Sequence, residues 1–102
     1  ITPSGSFKVL HSFTVNPDGA YPASSLLAFG GALIGTTYGG GPHNHGLLFK
    51  LSYDGVLKGL HSFEKTDGTG PAGQLTAVGD VVYGTTEHDG ANSGGTLYGF
   101  KL

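Results

Sequence analysis

Two histidines stand in nearly the same sequence context, His11 in "VLHSF" and His61 in "GLHSF", fifty positions apart in a chain of 102 residues. A second histidine pair, His43 and His45, flanks Asn44 in "PHNHG", and "EHDG" sets Glu87, His88 and Asp89 side by side. Imidazole and carboxylate groups in such numbers could hold zinc or a related ion, or move a proton. The spacing argues otherwise. A histidine repeated with phenylalanines on one face reads as a core residue whose ring nitrogens satisfy threonine or backbone groups, with Thr36 or Thr37 the expected partners. Thr36, Thr37, Thr85 and Thr86 are duplicated too and read as strand residues of the repeat. Two histidines separated by one residue on a loop give a solvated loop before they give a metal site, so no metal and no cofactor is expected.

The Asp-Gly pairs beginning at Asp18, Asp54, Asp67 and Asp89 lack the ligand pattern of a calcium loop and read as turns. "GGG" at Gly39 to Gly41 leads into a strand rather than a helix and so cannot cradle phosphate as a helix N-terminus does. Two glutamates, no nucleophile elbow and a thin polar set on the inner strands (Ser24, Ser25, Gln74, Thr76) predict a chain that is not an enzyme.

What must position these residues is a repeat. His11 falls on His61 and Phe13 on Phe63 at an offset of 50; Asp18-Gly19, Pro22, Leu26 and Gly35-Thr36-Thr37 fall on Asp67-Gly68, Pro71, Leu75 and Gly84-Thr85-Thr86 at 49. Twenty glycines among Val, Leu, Phe, Tyr and Thr indicate short strands and tight turns. Each period carries four strand signals: Leu26 to Phe29, Ala32 to Tyr38, Gly46 to Leu51 and Val56 to Phe63 in the first. Gly30-Gly31 and Asp54-Gly55 make tight turns, and longer connections run over Thr14 to Ser24 and Gly39 to His45. Four antiparallel strands in a period near 50 predict an all-β fold of β-propeller blades.

The phase of the repeat sets the predicted organisation. Residues 1–13 hold an outer strand from Ser6 to Phe13 that completes a blade, 24–63 a full blade, and 74–102 three strands of a second blade. Two blades have bare flanks, so the expected partner is the chain itself. Ser6 to Phe13 of one copy is expected to pair beside Gly95 to Leu102 of the next, closing a ring by strand exchange. Two, three or four chains fit the usual blade numbers; the trimer with six blades is preferred and the tetramer with eight follows it.

Net charge of −2, five scattered lysines and no arginine exclude a phosphate-tracking surface, so nucleic acid is not a partner. No cysteine excludes disulfides and thiolate metal sites, and no apolar run predicts membrane insertion. A first residue other than methionine predicts a chain processed or cut from something longer.

The string "GTTYGGG" with "GLLFKLSYDGVLKGLHSF", returning as "YGTTEHDGANSGGTLYGFKL", resembles the bacterial GloVer tandem repeat over nearly the whole chain. Ile34 replaces the tyrosine seen at Tyr83, Leu47 replaces the threonine seen at Thr96, and Gly99-Phe100 is inserted before Lys101. The resemblance implies extracellular or cell-surface repeat proteins and carries no catalytic residues over. A non-catalytic module is therefore expected, acting as scaffold or binding surface for ligands such as glycans. Its loop-rich rim would carry Tyr21, Tyr38, His43, Asn44, His45, His88 and Asp89, with His43 to His45 near Glu87 to Asp89. A propeller fragment, excised or engineered, with assembly as its only property is the alternative.

Overall fold

A computed structural model describes residues 9–16, 18–22, 24–91 and 93–102, and every regular element among them is a strand. In chain order these are β1 (Ala20–Pro22), β2 (Leu27–Phe29), β3 (Ala32–Gly39), β4 (Leu47–Ser52), β5 (Leu57–Ser62), β6 (Thr69–Val78), β7 (Val81–His88) and β8 (Thr96–Lys101). They form two antiparallel sheets. In the first, β1 and β2 both pair with β3, which pairs with β4, which pairs with β5; in the second the order is β6-β7-β8.

The inner strand begins earlier than the expected loop of residues 14–24 allows, because Ala20 already pairs with Gly39 and Pro22 with Thr37. The ladder then stops, since proline has no N–H to continue it. Ser24 takes over: its hydroxyl accepts from the Thr36 amide at 2.8 Å. In the second copy Pro71 sits inside β6, and the register shifts between Ala72 and Thr76 instead. The two inner strands meet at this irregular place, where the Ser25 amide donates to the Gly73 carbonyl at 3.2 Å.

The Gly-Thr-Thr repeat has a packing cause. A Cβ on Gly35 would lie 2.7 Å from Phe49 Cζ, and one on Gly84 would strike the Tyr98 hydroxyl, so in each sheet a ring of the third strand lies across the glycine of the second. Such a cross-strand pair of aromatic and glycine needs the missing side chain. The second threonine closes the loop that follows: Thr37 Oγ1 accepts from the Leu47 amide at 3.1 Å, and Thr86 Oγ1 accepts from the Thr96 amide at 2.9 Å.

The core lies between the sheets. Ile34 and Leu48 of the first join Phe63, Leu75 and Val82 in one buried cluster, with Leu60, Tyr98 and Phe100 packed against it. A second cluster, Leu47, Phe49 and Leu51, lies on the first sheet's opposite face beneath Phe13. The runs "ALIGTT" and "VVYGTT" lack strict alternation and read as strands covered on both faces, and β3 is covered so. In β7, however, buried and exposed residues alternate from Val82 to Thr86, because no described residue packs against one face of the second sheet.

Of the expected outer strand at residues 6–13, Ser6 to Lys8 lie outside the described residues. Val9 to Phe13 belong to no ladder. They rest on the first sheet, with the Phe13 ring 5.4 Å from that of Phe49 at an interplanar angle of 60°. Phe63 meets Tyr98 in the same way, 5.1 Å apart at 65°.

Candidate binding site on the loop-rich rim

The repeated histidines sit at the joint between successive units. His61 Nε2 lies 2.8 Å from Asp67 Oδ2 and His11 Nε2 lies 3.0 Å from Asp18 Oδ2, so in both copies the imidazole N–H donates to a carboxylate of the connection that follows. Each imidazole also stands edge-on to the phenylalanine two residues on, at 4.9 Å for His11–Phe13 and 5.0 Å for His61–Phe63. The expected threonine partners are displaced by these aspartates. Thr37 Oγ1 instead donates to Gly39 O, and Thr36 and Thr37 are buried. Thr86 is buried like them and Thr85 is exposed.

The glycine after each aspartate completes the joint. A Cβ on Gly19 would strike Thr37 Oγ1 and one on Gly68 would strike Thr86 Oγ1, at φ of +97° and +103° that favour glycine in any case. Asp-Gly, Gly-Thr-Thr and His-Ser-Phe therefore form one interlocked unit. Read as turn chemistry alone, Asp18 and Asp67 hid this role, although they recur at nearly constant distance from their histidines.

On the rim, the connections β3–β4 and β7–β8 share a backbone plan. Gly46 N donates to Gly40 O at 3.0 Å and Gly95 N to Asp89 O at 2.9 Å; Asn44 and Ser93 both adopt positive φ near +60°. Their side chains diverge. His43 and His45 share a cleft of about 300 Å³ with Glu64, Lys65 and Thr66, and His43 Nε2 stands 3.7 Å from Glu64 Oε2. The structure thus brings His43 to the carboxylate of the β5–β6 connection rather than to Glu87 to Asp89.

Tyr38 and His88 form a separate group. His88 Nε2 lies 3.0 Å from the Tyr38 hydroxyl across the two sheets, and a hydrogen bond from the phenol to Glu87 raises the Tyr38 pKa above its ordinary value, with burial and the Glu87 charge adding to the shift. The Tyr38 ring also lies over Gly70, where a Cβ would sit 2.9 Å from Cε1. Asp89 is engaged structurally, accepting from Thr69 Oγ1 at 2.6 Å. Tyr21 is exposed at positive φ, and Asn44 is exposed at its turn, neither joined to the histidine cleft. Glu64, Lys65 and Thr66 were not singled out by their spacing; only the loop's path brings them to His43. Among the described residues no three His, Asp or Glu side chains are arranged to hold a metal ion.

A duplicated unit of antiparallel strands, with its joints fixed and its rim varied, defines an all-β tandem-repeat protein. The profile of the Gloeobacter/Verrucomicrobia repeat matches residues 1–102, and the chain belongs to that family. No curated protein and no solved structure matches it.

Proposed function

We propose that the chain is a non-catalytic assembly module whose sheets are propeller blades, closed into a ring by copies of itself and displaying the rim loops at a cell surface or outside the cell. One observation carries this reading. Val9 to Phe13 rest on the first sheet as Leu60 to Phe63 rest on the second, yet no described strand pairs with Val9 to Phe13, and none pairs with the outer edge of β8. An edge and a segment that no described strand covers, each in the place the other needs, favour pairing between copies over an exposed edge.

Three copies give six blades, and this ring is the preferred assembly. Light scattering on the 102-residue chain is expected to give roughly three times the 10.4 kDa of one copy; a folded single copy at micromolar concentration contradicts the reading. In the ring each chain presents one cleft of His43, His45, Glu64, Lys65 and Thr66, whose mixed donors and acceptors suit sugar hydroxyls, and repetition raises avidity. A glycan array probed with the assembled chain and with Glu64→Ala tests that display role, the variant being expected to lose the signal.

A further inference from the structure

The two outer faces of the chain are unlike each other, and the repeat says what each lacks. Ile34 and Leu48 are 0% exposed, sunk between the sheets. Their counterparts one period on, Tyr83 and Leu97, are 41% and 75% exposed on the face of the second sheet that points away from the first. Thr85 pairs with Leu97 and Tyr83 with Gly99 in the β7–β8 ladder, so these residues share that face. The Tyr83 ring lies over Gly99, where a Cβ would sit 2.9 Å from Cε1. An aliphatic and an aromatic side chain thus project together from an otherwise regular sheet.

At the other end of the chain is a groove of about 310 Å³ whose apolar lining, Pro22 aside, is Leu10, Phe13, Leu26, Leu33, Phe49 and Leu51. One period on, these positions are Leu60, Phe63, Leu75, Val82, Tyr98 and Phe100. Those six belong to the core between the sheets that takes in Ile34 and Leu48, together with Leu27, Phe29 and Leu102. The groove is therefore a second copy of that core with its two central side chains absent. Leu26 shows the consequence: it is 57% exposed where its counterpart Leu75 is 7% exposed.

We infer that Tyr83 and Leu97 of one copy dock into the groove formed by Leu10, Phe13, Leu26, Leu33, Phe49 and Leu51 of a second copy, reproducing between chains the packing that joins the two sheets within one chain. The occupant is a copy of this chain because knob and groove are the two halves of an interface the chain already makes internally. The contact is head-to-tail, since knob and groove lie on different faces, and such a contact propagates to a closed ring or a filament. This inference rests on the assembly reading and adds the face that mediates it. It also requires that the strand pairing at β8 and the docking of Leu97 use the same pair of neighbours.

The chain contains no cysteine, so single introduced thiols report on this contact without background. Leu97→Cys and Leu26→Cys are prepared separately, mixed, and treated with a short bismaleimide. A covalent dimer formed in the mixture, well above that in either variant alone, is the expected result. Equal cross-linking of Leu97→Cys with itself, or no cross-link while light scattering still reports an oligomer, overturns the docking and leaves the assembly reading standing. A folded single copy overturns both. Leu97→Asp supplies the second reading: the side chain is exposed, so the fold is kept, and the dissociation constant is expected to rise by about 100-fold or more from the lost burial of one leucine and the desolvated charge. An unchanged dissociation constant contradicts the inference.

Discussion

Leu48 and Leu97 occupy the same place in two copies of one unit, and only the first is buried. The first sheet has a neighbour on each side: the second sheet against Ile34 and Leu48, and Val9 to Phe13 against Phe49. Among the described residues the second sheet has one neighbour. The same strand pattern therefore yields a two-sided core strand in β3 and a one-sided strand in β7, and the difference lies in what stands beside each sheet rather than in the strands. An isolated leucine on a surface is ordinary; Leu97 is informative because its counterpart shows what contact the position makes when a neighbour is there.

The largest expected effect breaks the buried side of this comparison. Leu48→Ala is expected to cost about 3 to 4 kcal/mol of unfolding free energy in denaturant titrations, whereas Leu97→Ala costs within about 0.5 kcal/mol in dilute solution. The gap between them is expected to narrow as protein concentration rises and Leu97 becomes covered. Next come the glycines beneath the rings. Gly35→Ala is expected to destabilise by about 1 to 3 kcal/mol by forcing Phe49 off its strand, and Gly84→Ala by a similar amount through Tyr98. Equal effects would show that the ring-on-glycine contact stabilises both sheets alike.

Tyr98 distinguishes the sheets by chemistry. Burial pushes its pKa up to about 12, and its hydroxyl has no hydrogen-bond partner among the described residues, while Phe49 in the first sheet has no hydroxyl at all. The folded state holds the neutral phenol, so this contribution is complete below pH about 10 and is lost as pH rises through about 12. For a ring that is partly solvated, the loss is on the order of 2 kcal/mol. Tyr98→Phe is expected to remove this alkaline step in thermal melts and to leave stability at neutral pH equal or slightly higher, because a buried hydroxyl without a partner opposes folding. Asp67→Asn has a small effect, under about 1 kcal/mol by calorimetry, since the His61–Asp67 pair is more than a third exposed on both sides.

Much of this was legible in the sequence because the repeat and the turn glycines are local signals. The offset that matched Gly35-Thr36-Thr37 to Gly84-Thr85-Thr86 located the second strand of each sheet, and Asp54-Gly55 located the turn between β4 and β5. The histidine partners were not legible, because an Asp-Gly pair satisfies the rules of a turn whether or not its carboxylate meets an imidazole. The rim cleft was half legible. His43 and His45 announce themselves by type, but Glu64 to Thr66 are nearly twenty residues further along, and only the path of β4 and β5 returns them to the same end of the sheet. The unequal burial of Leu48 and Leu97 leaves no trace in the strings around them, "GLLF" and "GTLY", since burial is a property of the neighbour.

Assembly by strand exchange requires that a second copy cover the outer edge of β8. Amide hydrogen exchange on the 102-residue chain reads this directly at Thr96 to Lys101. If a neighbour's segment pairs there, the outward-pointing amides of β8 exchange as slowly as those of β4, which has a strand on each side, and their protection falls on dilution. Fast exchange of those amides at every concentration, with β4 protected throughout, would contradict it.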